Sequence, residues 1–303
     1  MKRDKNILMR RAALLAIWVL VCMNFSLSAA DLNNLQREAT WSQPTAEQLR
    51  MQVDAWLDQS ENVSEEQKAS IADLWQRATP QSSDDLFHVV IESIAMVDSR
   101  AQEVLDFCNS AASTVSLPTF DWLRQKETHP FVSNNLRLYY GQWLGLRSLY
   151  NEVLEQLDGL QPSDVADPAS LLFFQASANH RLLAKDKSLP LISTLMEQNE
   201  TIPRRYATMA RLMEADLKPL KEDSLDEVSR LMDNIRTRLN HGRAGTRVRK
   251  EEDDVIAKLD KMIEKLEQQQ QQQQQSSGQS GGQQQQGGQN GQGNNPLQES
   301  QLG

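Results

Sequence analysis

The sequence predicts an all-α protein: a helical bundle or short helical-repeat array, closed by a C-terminal antiparallel coiled-coil hairpin and a disordered tail. Three observations predict it. Leu, Ala, Glu, Gln, Arg and Met, all good helix formers, fill the middle of the chain. No alternating Val/Ile/Thr run is long enough for a strand. Helix-start signatures recur immediately before stretches of apolar residues at three- and four-residue spacing.

Residues 1–30 have the pattern of an export signal. Lys2, Arg3, Lys5, Arg10 and Arg11 precede an apolar stretch from Ala12 to Met23, and Ser28-Ala29-Ala30 offers a small-x-small cleavage site. The stretch is short against the roughly 20 residues of a membrane span, so cleavage near Ala30 is expected, with an uncleaved membrane anchor as the alternative. A mature protein of this kind is periplasmic or extracellular.

The whole chain carries −9, and removing the net +4 of residues 1–30 leaves −13. Nucleic acid is not expected as a partner, because affinity for it rests on phosphate attraction. Cleavage also removes Cys22 and leaves Cys108 alone, so no intrachain disulfide forms and the core must come from apolar helix faces. Cys108 itself reads as a small buried hydrophobe.

Residues 31–130 form an N-terminal helical region. Pro44 and Thr45 open a helix to about Asp58, with Leu49, Val53, Trp56 and Leu57 on one face. Ser64-Glu65-Glu66-Gln67 is a capping box for a helix carrying Ile71, Leu74 and Trp75. Ser83-Asp84-Asp85 starts a longer helix expected to reach Asn109. Pro118 and Pro130 punctuate the stretch beyond it.

Residues 131–222 contain two successive helix pairs, Leu136–Leu146 with Leu149–Leu160, then Leu171–Leu183 with Leu189–Met196. Asp167-Pro168 supplies an N-cap and a first-turn proline for the second pair. The pairs are offset by about 35 residues, near the tetratricopeptide period, and Gly141 and Ala176 stand where small residues let paired helices approach. On these residues the segment resembles the tetratricopeptide family, although Val153 replaces the small residue expected in the second helix of the first pair. A further helix begins at Pro203, and Pro219 limits it.

Residues 223–268 form the hairpin. Ser224-Leu225-Asp226-Glu227 is a capping box, and Leu225, Val228, Leu231, Met232, Ile235 and Leu239 make an apolar stripe. Asn240-His241-Gly242 stops that helix. Val255, Leu259, Met262 and Leu266 then step by four and three, a heptad seam. The seam suits pairing within the hairpin or between two chains. Residues 269–303 are rich in Gln, Gly, Ser and Asn and cannot bury enough apolar surface to order; the Gln run can prolong the helix for a turn or two. In its outline the chain resembles exported bacterial proteins with a helical body, a charged hairpin and a Gln-rich tail.

Chemistry-bearing patterns are few. No HExxH, CxxC pair, phosphate-binding Gly loop or GxSxG is present, and no cofactor is expected. Asp85, His88 and Glu92 share a helix face, which supplies half a metal site or a solvated polar face. Arg236, Arg238, Arg243, Arg247, Arg249 and Lys250 crowd the hairpin tip beside Glu251, Glu252, Asp253 and Asp254. They either dock an anionic partner or pair with the neighbouring acids. The expected function is therefore a non-enzymatic interaction or scaffold protein of the cell envelope, with a protein partner. The alternatives are a metal-assisted hydrolase using His88 or His180, or peripheral membrane or polyanion binding through the basic cluster.

Overall fold

A computed structural model describes residues 39–278 apart from 61–62, 79, 81 and 111–113; its regular elements are all helices, with no strand among the described residues. The expected signal (1–30) and most of the expected tail (279–303) lie outside the described residues. No helix among them is long and apolar enough to cross a membrane.

The first two helices, α1 (Ala46–Gln59) and α2 (Glu65–Arg77), begin at the capping boxes of Thr45 with Gln48 and Ser64 with Gln67. The expected long helix from Ser83 is instead two, α3 (Ser83–Ala95) and α4 (Ser99–Asn109). Asp98 causes the break: its carboxylate accepts from the Arg100 amide at 2.9 Å and so caps a new helix. A short 3₁₀ turn at Asp121–Arg124 leads to α5 (Pro130–Leu146), α6 (Tyr150–Leu157), α7 (Pro168–Arg181), α8 (Lys185–Met196) and α9 (Arg204–Leu217). The hairpin is α10 (Leu225–Asn240) and α11 (Thr246–Gly278), so the last helix runs on past Gln268. Glutamine is a good helix former and no breaker intervenes before Gly278, so adding residues to an existing helix costs little.

Burial divides the molecule. One large core joins α1 to α7 around Leu49, Ile71, Phe87, Ile94, Leu136, Tyr140 and Leu157. A smaller one joins α7, α8 and α9, with Trp41 laid against it and its indole N–H donating to the Thr194 carbonyl at 2.7 Å. Cys108 is buried, and burial pushes its thiol up to about 12. The hairpin's own core is only Val228, Ile235, Val248 and Val255, with Leu231, Leu259 and Met262 partly buried beside them.

The hairpin meets the body at its base, midway along it and at its tip. At its base Arg230 donates to Asp216 of α9, and Asp216 also accepts from His180 Nε2 of α7 at 2.8 Å. Midway, Asn234 donates to the Arg181 carbonyl at 2.6 Å. At the tip, Gly242 adopts φ +69°, which favours glycine. An added Cβ there would meet Val115 at 3.3 Å.

Candidate functional site

The candidate site is a groove of about 550 Å³ where α3, α5, α6, α7 and α9 converge, within the usual range for ligand pockets. Its walls are largely aromatic and aliphatic: Phe87, Tyr150, Val153, Phe173, Phe174 and Tyr206. His88 joins them, with its ring edge-on to Tyr139 at 5.9 Å. Two large apolar side chains stand open at the rim, Leu146 (77% exposed) and Met209 (45%).

The local sequence explains how these rings are held. Asp167 caps α7, accepting from the Ser170 amide at 3.3 Å and from its hydroxyl at 2.5 Å. Burial raises the Asp167 carboxyl above its ordinary value, while the bonds from Ser170 and Gln43 oppose that shift. The Ser170 hydroxyl also meets the Tyr206 hydroxyl at 2.8 Å, and so ties α9 to the start of α7. The Tyr206 ring then stacks on Phe173, with centroids 4.1 Å apart and planes 13° from parallel. Phe174 turns the other way and sits over Gly145, where an added Cβ would lie 2.6 Å from its ring. Across the mouth Arg205 pairs with Asp84, linking α9 to α3.

Elsewhere the sequence-predicted residues are dispersed. His88 lines the groove, but no group of three or more His, Cys, Asp or Glu side chains that could hold a metal occurs among the described residues. His180 is half-buried and bonded to Asp216, so it serves as a link between α7 and α9. Burial pushes its imidazole below the usual histidine range, outweighing the neighbouring Asp216 carboxylate, which favours the charged form.

The basic cluster divides in two. Arg238 and Arg243 turn inward and reach Glu152 of α6 at 3.7 and 3.4 Å, with Glu152 only 13% exposed at its side chain. Arg247 reaches Glu155 at 3.3 Å. These arginines therefore pair with the body, not with the acids 251–254 beyond them in sequence. Glu251 is half-buried beside them, and burial raises its carboxyl despite Arg238 and Arg247. Arg236 pairs with Asp233 at 2.9 Å on the open surface, and Arg249 and Lys250 are exposed. Three of the six residues thus reach carboxylates of the body, and the other three lie on the open surface.

Sequence reasoning missed the groove. Its rings come from four helices spread over more than a hundred residues, and only the adjacent pair Phe173-Phe174 hinted at it. The fold and this site together define a class: an all-helical body with an aromatic groove and a docked helical hairpin. No family model matches the chain, and no curated protein or solved structure is significantly similar to it.

Proposed function

We propose that this chain is an exported, non-enzymatic interaction protein of the cell envelope that holds a protein partner in the aromatic groove. The observation that carries the reading is the combination of a concave, ring-lined groove with the exposed Leu146 and Met209 at its rim. Exposed apolar side chains around a cavity lose water when a partner covers them, and such patches mark interaction sites. The occupant is an apolar side chain of an extended or helical peptide, with the Asp84–Arg205 pair meeting its polar flank. Export is supported by the basic and apolar pattern of residues 1–23 and the Ser28-Ala29-Ala30 site.

The repeat character of residues 131–222 belongs to the same proposal. The α5/α6 and α7/α8 pairs are each packed through a small residue. Gly141 admits Leu157, and the fully buried Ala176 lets Ser188 donate to its carbonyl at 2.9 Å. This supports a tetratricopeptide-like reading, in which the concave side of stacked helix pairs is the binding side.

The test is photo-crosslinking from Leu146 of the mature chain in solubilised envelope. A discrete protein adduct is expected, reduced at least tenfold by Met209→Glu and by Ser177→Trp, which fills the groove. An adduct insensitive to both substitutions overturns the reading.

A further inference from the structure

Residues 39–44, ahead of α1 and its cap Thr45, form no helix and cross one end of the α7/α8 pair as a strap. Two side chains of the body grip its main chain. Glu197 accepts from the Thr40 amide at 2.7 Å and from its hydroxyl at 2.7 Å, and Gln198 donates to the Trp41 carbonyl at 2.8 Å. Further along, Gln43 donates to Asp167, the cap of α7, at 3.3 Å. One strap side chain is taken up in depth. Trp41 is 7% exposed, set among Leu172, Ile192, Leu195 and Ile202, and its indole N–H donates to the Thr194 carbonyl. Bonds to the main chain together with a pocket for one side chain are how a folded domain holds an extended peptide.

The strap closes only one end of the groove it lies in. A space of about 930 Å³ runs on past Trp41 between α7, α8 and residues 158–163, toward Asn179 and Lys187 at the opposite end of the helix pair. Leu154, Leu160 and Leu191 give it apolar walls. Asn179 lines it and is 5% exposed. Its Nδ2 donates to the Gln175 carbonyl at 2.8 Å, while its Oδ1 has no partner among the described residues. A buried acceptor without a donor costs stability, and a main-chain N–H of a longer extended peptide would supply one. The groove therefore has room and an unused acceptor for more chain than the strap provides. Leu172, Gln175 and Asn179 stand on the side of α7 away from Phe173, Phe174 and Ser177, so this groove is separate from the aromatic one.

We infer that the α7/α8 groove is a second peptide-binding site, which the strap occupies as a tethered competitor. The strap itself shows what partner fits: an extended segment with a tryptophan in the place of Trp41, its main chain held by Glu197 and Gln198. Past the tryptophan this partner runs on toward Asn179, along the apolar walls the strap leaves uncovered. It binds by displacing residues 39–43. The capping box of Thr45 and Gln48 holds the start of α1 without the strap, so α1 stays in place. A tethered segment competes at an effective concentration on the order of millimolar, which keeps the site closed to weak ligands. This site and the aromatic groove are distinct, and neither proposal depends on the other.

Titration calorimetry with a synthetic peptide tests it, using Ala-Thr-Trp-Ser-Gln-Pro, the sequence of residues 39–44, with blocked ends. The full protein carrying Trp41→Ala is expected to bind this peptide and to melt at a higher temperature in its presence. Wild type should bind it at least tenfold more weakly, and the peptide with alanine for tryptophan should bind neither. Adding Glu197→Ala and Gln198→Ala to the variant should weaken binding several-fold. Of two longer probes, with Leu-Leu added before or after the sequence, one should bind the variant several-fold tighter. A helical Trp41→Ala protein that binds no peptide overturns the proposal, as does equal binding by wild type, indifference to Glu197→Ala with Gln198→Ala, or no gain from either longer probe. Where Trp41→Ala loses helicity, Trp41→Leu, which keeps an apolar side chain in the pocket, takes its place. A body that unfolds in both variants makes the strap a fixed part of the core and overturns the proposal equally.

Discussion

The body and the hairpin are built by different forces. The body buries thirty residues in one continuous core, whereas the hairpin buries four and rests on the body through charged and polar contacts. Area removed from water stabilises the first, and Debye screening does not weaken that contribution. The Glu152–Arg238–Arg243 cluster and the His180–Asp216–Arg230 chain hold the second, and both depend on ionisation and screening. The hairpin is therefore the part of the molecule that opens first.

The largest effect should come from the body. Leu136→Ala or Leu157→Ala removes a fully buried side chain and should cost about 2–5 kcal/mol of global stability in denaturant unfolding. If either cost less than a typical surface substitution, the two-force contrast would be lost. Next in size, Glu152→Gln leaves Arg238 and Arg243 facing each other beneath the tip. Breaking a well-buried pair costs about 3–5 kcal/mol, and the residual exposure here should bring the loss to the lower end. That loss should appear as faster proteolysis between 240 and 246, with the body still folded.

Acidification should act more gently and on the same region. Burial depresses His180, so the unfolded state binds the extra proton more readily. The stability this contributes is complete above the ordinary histidine value near 6.5 and is lost as pH falls toward the depressed folded value. Asp216, held low chiefly by Arg230, keeps its own contribution until pH falls below the ordinary carboxylate range. Melting followed from pH 7.5 to 5.5 should show the fall, and His180→Gln should flatten it. A residual slope should remain from His129, which burial also depresses. Smallest is the cap: Ser224→Ala removes the acceptor for the Glu227 amide at 3.2 Å and should cost about 1 kcal/mol, confined to the hairpin.

Local features of the fold were legible in the sequence because local chemistry determines them. The caps at Thr45, Ser64 and Ser224, the stop at Gly242 and the buried face of Leu49, Val53, Trp56 and Leu57 all stand where their spacing puts them. What periodicity cannot report is which surface a face meets. The six basic residues read as one patch because they are adjacent in sequence. Glu152, which claims two of them, stands more than eighty residues earlier. Apolar spacing likewise marked Leu225, Met232 and Leu239 without separating the covered side of α10 from the open one. Asp98 was a cap signal hidden inside an otherwise continuous apolar pattern.

The contrast between the two regions is tested most directly by amide hydrogen exchange of the protein at rising salt. Screening should speed exchange in α10 and the first turns of α11 while leaving α3, α5 and α7 unchanged. Equal acceleration in both regions, or none in the hairpin, would contradict the account.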